Sequence, residues 1–189
     1  MWAQRIGELV GRVDSSFVVD RSEIEARLQV SLPDDYFELA TRFGEGVFCQ
    51  FIFVYDGRAD SGDGLLTMWR HLWATFGRGD AGGDGALSPY LIFEPGEAGL
   101  IPWGGTDVGD IYFWYATPGV DPSSWPVVVK ASDGLDDTLE NGMARFEMSA
   151  SEFLWHVLAD PEFTPFGISN SVSEIWFTSQ PEIDSSDGV

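Results

Sequence analysis

The chain has 189 residues, 44% of them apolar, with eight Trp, fourteen Phe and a formal net charge of −21. That length suits one domain with a sizeable core, and that apolar content speaks against a chain kept unfolded by its charge. The 31 acidic against 10 basic residues argue against a surface for phosphate backbones or anionic membranes, which need basic groups, and favour encounter with a basic protein.

No run approaches the roughly 18–20 apolar residues of a membrane helix. Arg5, Glu8 and Arg12 interrupt the start of the chain, so no signal-peptide pattern is read there. Cys49 is the single cysteine, which leaves no intrachain disulfide and suits a reducing compartment. The expected location is cytoplasmic.

In chain order, Trp2, Ile6, Leu9, Val10 and Val13 recur at helical steps and predict a first helix. Ser22 followed by Glu25 matches a capping box and predicts a short helix through Ile24 and Leu28. Next, Pro33 suits a first helical position, Asp34 and Asp35 favour the positive end of the helix dipole, and Gly44 ends the helix. Residues 47–55 are apolar, aromatic and β-branched, and read as one strand closed by Asp56-Gly57. Residues 65–76 return to helical spacing, and 77–85 form a Gly/Asp-rich loop.

Further strands are predicted over 90–93, 100–103, 111–115, 125–131 and 143–148. Ser149 and Glu152 make a second capping box, heading a helix that stops before Pro161. Residues 175–178 read as a last strand before a frayed acidic end. The elements together predict an α+β fold, with a central antiparallel or mixed sheet flanked by N-terminal helices and a late C-terminal helix. One domain is expected over 1–165, with 166–189 a partly strand-like extension.

Catalytic chemistry finds little material. His71 and His156 each lie within a predicted amphipathic helix, and Cys49 among Phe48, Phe51 and Phe53 reads as an inert apolar residue. No G-x-S-x-G occurs. The Asp-rich loops at 56–60 and 80–84 invite calcium, yet the twelfth position, where an EF-hand needs Glu, is Thr67 or Leu91. The glycines at 77–82 match G-x-G-x-x-G but follow a helix, and Asp80 puts charge where pyrophosphate would lie. Tyr112, Phe113, Trp114 and Tyr115 lack the basic groove of a nucleic-acid stacking platform, so two-sided packing is the reading. Adjacent acids such as Asp136-Asp137 read as a solvated turn, not a glycosidase pair. No catalytic residue, cofactor or metal is expected.

The most distinctive stretch is 100–114, two aromatic-rich strands about a Gly/Asp turn in which positive φ is open to Gly104, Gly105 or Gly109. Asp121-Pro122-Ser123-Ser124-Trp125-Pro126 then feeds Val127-Val128-Val129. This pairing resembles the SUKH superfamily, which includes fungal Smi/Knr-type cell-wall regulators and many bacterial immunity proteins. The resemblance extends to Leu32-Pro33 and Tyr36, to Gly44 and Gly46, and to Ser149, Glu152, Phe153 and Leu154. It implies a sheet flanked by helices, and for bacterial members an immunity protein that neutralises a toxin, often a nuclease, by tight binding. It carries no catalytic motif and no transferable binding residues.

Function is therefore expected to lie in binding a basic toxin protein, with a Smi/Knr-type regulatory scaffold or an enzyme of unrecognised class as alternatives. Residues 131–189 hold 12 acids and Arg145 as their only base, against 19 acids and 9 bases before them. Asp107, Asp110, Asp133, Asp136, Asp137 and Glu140, expected in exposed turns, are accordingly the candidate partner-binding residues.

Overall fold

The aromatic and β-branched runs of the middle of the chain pair into one antiparallel sheet in a computed structural model that describes residues 2–11, 17–77, 86–132, 142–163 and 175–179. Its strands are β1 (Gly46–Phe48), β2 (Ile52–Val54), β3 (Gly99–Thr106), β4 (Ile111–Ala116), β5 (Val127–Lys130), β6 (Met143–Phe146) and β7 (Phe177–Ser179). They lie side by side in the order β6-β5-β4-β3-β2-β1-β7. The helices are α1 (Trp2–Leu9), α2 (Arg21–Leu28), α3 (Asp34–Phe43), α4 (Leu65–Phe76) and α5 (Ala150–Ala159). The α+β architecture expected from the sequence is present, and the sheet is antiparallel throughout the described residues.

The two faces of the sheet bury different partners because strand side chains alternate. Register pairs Trp114 with Val127 and Tyr112 with Val129, and these residues join Trp103 in the larger core against Ile6, Tyr36, Phe153 and Leu154. On the other face Leu100, Phe113 and Val128 pack with Leu72 of α4, Leu87 and Ile92. Phe113 and Phe153 are completely buried, each worth about 1.5–3 kcal/mol of transfer from water. The N-termini of α3 and α5 are tied through one side chain. Asp35 accepts from both the backbone N–H of Ser151 at 2.9 Å and its hydroxyl at 2.8 Å.

Helices 65–76 and 150–159 follow their sequence signals, and Ser149 caps α5 by accepting from the N–H of Glu152 at 3.3 Å. Several local expectations are corrected. α2 begins after Asp20, and Glu25, far from closing a box with Ser22, accepts from the N–H of Leu32 at 3.0 Å. Pro33, with ψ of 135°, precedes α3 and does not open it. Residues 47–55 are two strands, because Cys49 and Gln50 take φ of 54° and 59° and turn the chain back. Residues 90–93 make a single parallel bridge, Ile92 to Leu100, and no extended strand. Gly104 and Gly105 sit inside β3, and in this turn only Gly109 has positive φ, at 99°.

Candidate functional site

The β1–β2 hairpin and the loop that follows it build a concavity. Val47 and Phe53 are directly paired across the hairpin, so both side chains emerge on one face. The chain then leaves β2 through Tyr55 and Asp56, runs through an acidic loop, and enters α4 after Gly64. The loop is closed by the N–H of Leu65 donating to the Asp56 carbonyl at 3.2 Å and the Thr67 hydroxyl donating to the Ser61 carbonyl at 2.6 Å. A cavity of about 270 Å³ results, with Val47, Phe53, Val54, Tyr55 and Met68 as apolar lining and Glu45, Asp56 and Asp63 as carboxylates. A second concavity, of about 380 Å³, shares Glu45 and Asp63 with it and adds Asp20, Arg58, Asp60, Ser61 and Gly62.

Most of the charge around this mouth is matched internally. Asp56 is only 2% exposed. Its carboxylate accepts from the Arg58 backbone N–H at 2.6 Å and from Arg58 Nη2 at 2.9 Å. The same guanidinium pairs with Glu45 and lies over the Phe17 ring, 5.0 Å from its centroid. Asp20 accepts from the N–H of Ala59 at 3.2 Å, and Asp60 pairs with Arg27, also at 3.2 Å. Asp63 differs: it is exposed, and its carboxylate has no ion-pair partner among the described residues.

No protein-family model, no curated protein and no solved structure matches this chain.

Neither concavity is lined by His or Cys. Burial pushes the Tyr55 phenol well above its ordinary range, so it is a poor general base at neutral pH. Among the described residues no group of three or more His, Cys, Asp or Glu side chains is arranged to hold a metal ion, and no helix is long and apolar enough to cross a membrane. What the arrangement can do is hold a cation that carries an apolar stem.

The candidate residues named from the sequence fall into three groups. Asp107 is exposed in the β3–β4 turn, with its N–H donating to the Phe51 carbonyl at 3.0 Å. It stands at the hairpin-tip end of β2, beside Thr106, which pairs with Ile52, and it does not line the cavity. Asp110 is 5% exposed, which corrects its placement on an exposed turn. Its carboxylate accepts from the N–H of Ser132 at 2.8 Å, and its own N–H donates to Thr106 Oγ1 at 3.1 Å, so it serves the turn. Asp133, Asp136, Asp137 and Glu140 lie outside the described residues.

His71 is exposed on α4, and His156 is half-buried on α5 with Nδ1 3.1 Å from the Asp160 carboxylate. Cys49 lies in the β1–β2 turn, and burial pushes its thiol up, away from reactivity. Sequence reasoning weighed the loop at 56–60 for calcium and rejected it, and missed Asp63, Glu45, Phe53 and Met68 beside it. The pairing of Val47 with Phe53 brings them together, and no local pattern announces it.

Proposed function

We propose that this protein is an immunity protein of the SUKH kind, acting in the cytoplasm by direct binding to a basic toxin domain, a nuclease on grounds of charge. The observation that carries the reading is the cavity at β1–β2, with its apolar lining, its carboxylate mouth and the unmatched Asp63. It lies on a chain of net charge −21. A nuclease that binds phosphate backbones carries basic groups, and carboxylates placed where phosphates would lie compete for them. Charge of this density accelerates encounter, while apolar anchors within a desolvated pocket slow dissociation. The order of landmarks shared with SUKH proteins, from Leu32-Pro33 to the Ser149 helix, points the same way.

Co-expression with the C-terminal domain of the protein encoded by the adjacent gene tests the reading. Growth arrest by that domain alone, relief by this chain and a stoichiometric complex on gel filtration are the expected results. Growth arrest that this chain fails to relieve, with no complex formed, would overturn it.

A further inference from the structure

We infer that the β1–β2 cavity receives a single arginine side chain presented by the protein partner, with its guanidinium at Asp63 and its stem along Phe53 and Met68. This inference rests on the immunity reading for the identity of the partner but not for the chemistry of the site. Three independent features of the cavity converge on it.

The first is size. Pockets that enclose whole small ligands run from about 300 to 1,000 Å³. At about 270 Å³ this one has room for one long side chain, and it shares Glu45 and Asp63 with the second concavity of about 380 Å³.

The second is lining. A small inorganic cation needs oxygen ligands on several sides. Here Val47, Phe53, Val54 and Met68 supply apolar wall, and the rings of Phe53 and Tyr55 stand 5.5 Å apart, centroid to centroid. Aliphatic stems lie along such surface while the charged head stays at the polar rim. A planar guanidinium stacks on aromatic faces and pairs with carboxylates through two parallel bonds, which an ammonium does less well.

The third is charge. Asp56 and Glu45 share the guanidinium of Arg58, so this mouth already holds one arginine of the chain itself between two carboxylates. Asp63, at the rim of the same cavity, is left with none among the described residues. An arriving guanidinium neutralises that remaining carboxylate without displacing Arg58.

Two experiments test this, one on the chemistry of the site and one on the partner. In the first, methyl-labelled full-length protein is titrated at low salt with N-acetyl-arginine methylamide and with its uncharged citrulline counterpart. Saturable shifts at the Met68 and Val47 methyls with the arginine compound only, lost in Asp63→Lys and kept in the charge-matched Asp107→Lys, are expected. Absence of saturable shifts, equal shifts with citrulline, or shifts that survive Asp63→Lys overturn the inference.

In the second, binding of the toxin domain is measured for wild type, Asp63→Asn and Asp107→Asn. Dissociation at least about tenfold faster for Asp63→Asn, with Asp107→Asn changing association alone, supports the inference. A wild type that binds the toxin and an Asp63→Asn variant that binds it equally well overturn the inference and leave the immunity reading standing. A wild type that takes the arginine compound but ignores the toxin supports the arginine site and overturns the immunity reading.

Discussion

Asp107 and Asp110 lie three residues apart in one turn and do different work. Asp107 projects into solvent, whereas Asp110 is 5% exposed and holds the N–H of Ser132 at 2.8 Å. An exposed carboxylate outside the cavity acts on a partner through the long-range field, so its removal slows association and flattens the salt dependence without touching the fold. A buried carboxylate that accepts a backbone N–H acts on stability, and its loss costs about 1–2 kcal/mol. Chemical denaturation should therefore show Asp110→Ala destabilised by about that much and Asp107→Asn unchanged within about 0.5 kcal/mol. Asp110→Asn, which keeps an acceptor oxygen, should fall between them. Equal stabilities for Asp110→Ala and wild type would make Asp110 a free surface charge after all.

The β3–β4 hairpin shows why glycine identity needs the partner strand to be understood. Gly104 and Gly105 look like turn residues in sequence, yet both pair within the sheet. A Cβ on Gly105 would stand 2.4 Å from the backbone oxygen of Asp110, and one on Gly104 would stand 2.6 Å from that of Phe53. Backbone cannot yield as a side-chain end can, so Gly105→Ala should destabilise by about 1–3 kcal/mol. The measurement is a denaturant midpoint, and an unchanged midpoint would mean the hairpin shifts freely. The same contrast governs how much of the molecule is legible in its sequence. α4 and α5 are legible because helical spacing and the Ser149 cap are local signals, complete within a dozen residues. The division of 47–55 is not, since both arms of the hairpin are apolar and the turn is made by Cys49-Gln50, with no Asn-Gly or Asp-Gly to mark it. Legibility of the candidate site divides in the same way. The loop from Asp56 to Asp60 stands out in sequence, while Asp63 lies just beyond it, Glu45 and Phe53 join it only through the fold of the hairpin, and Met68 through the packing of α4.

At the scale of the whole molecule the core carries an unusual set of ionisable groups, and their linkage sets how the fold fails in base. Tyr36, Tyr55 and Tyr112 are all buried, and burial raises each phenol well above its ordinary value near pH 10. Nearby carboxylates add to this at two of them, Asp56 at Tyr36 and Asp110 at Tyr112, because a second negative charge there is repelled. The sign follows from proton binding. The folded state holds these protons more tightly than the unfolded chain, so the stabilisation is fully present below about pH 10 and is lost as pH rises beyond it. These three tyrosines span the fold, since Tyr36 belongs to α3, donating its hydroxyl to the Tyr55 carbonyl at 2.9 Å, and Tyr112 to β4. Their ionisation should accordingly be coupled to one cooperative unfolding event, at a pH above about 10. Tyrosinate absorbance and near-ultraviolet circular dichroism, followed together with rising pH, check this. The two signals should share one steep transition for the buried set, and Tyr36→Phe should make it shallower by removing one linked proton. Tyrosinate from Tyr36, Tyr55 or Tyr112 appearing with the near-ultraviolet signal intact would show that water reaches these phenols in the native state, and the packing assigned to both β2 and β4 would fail with it.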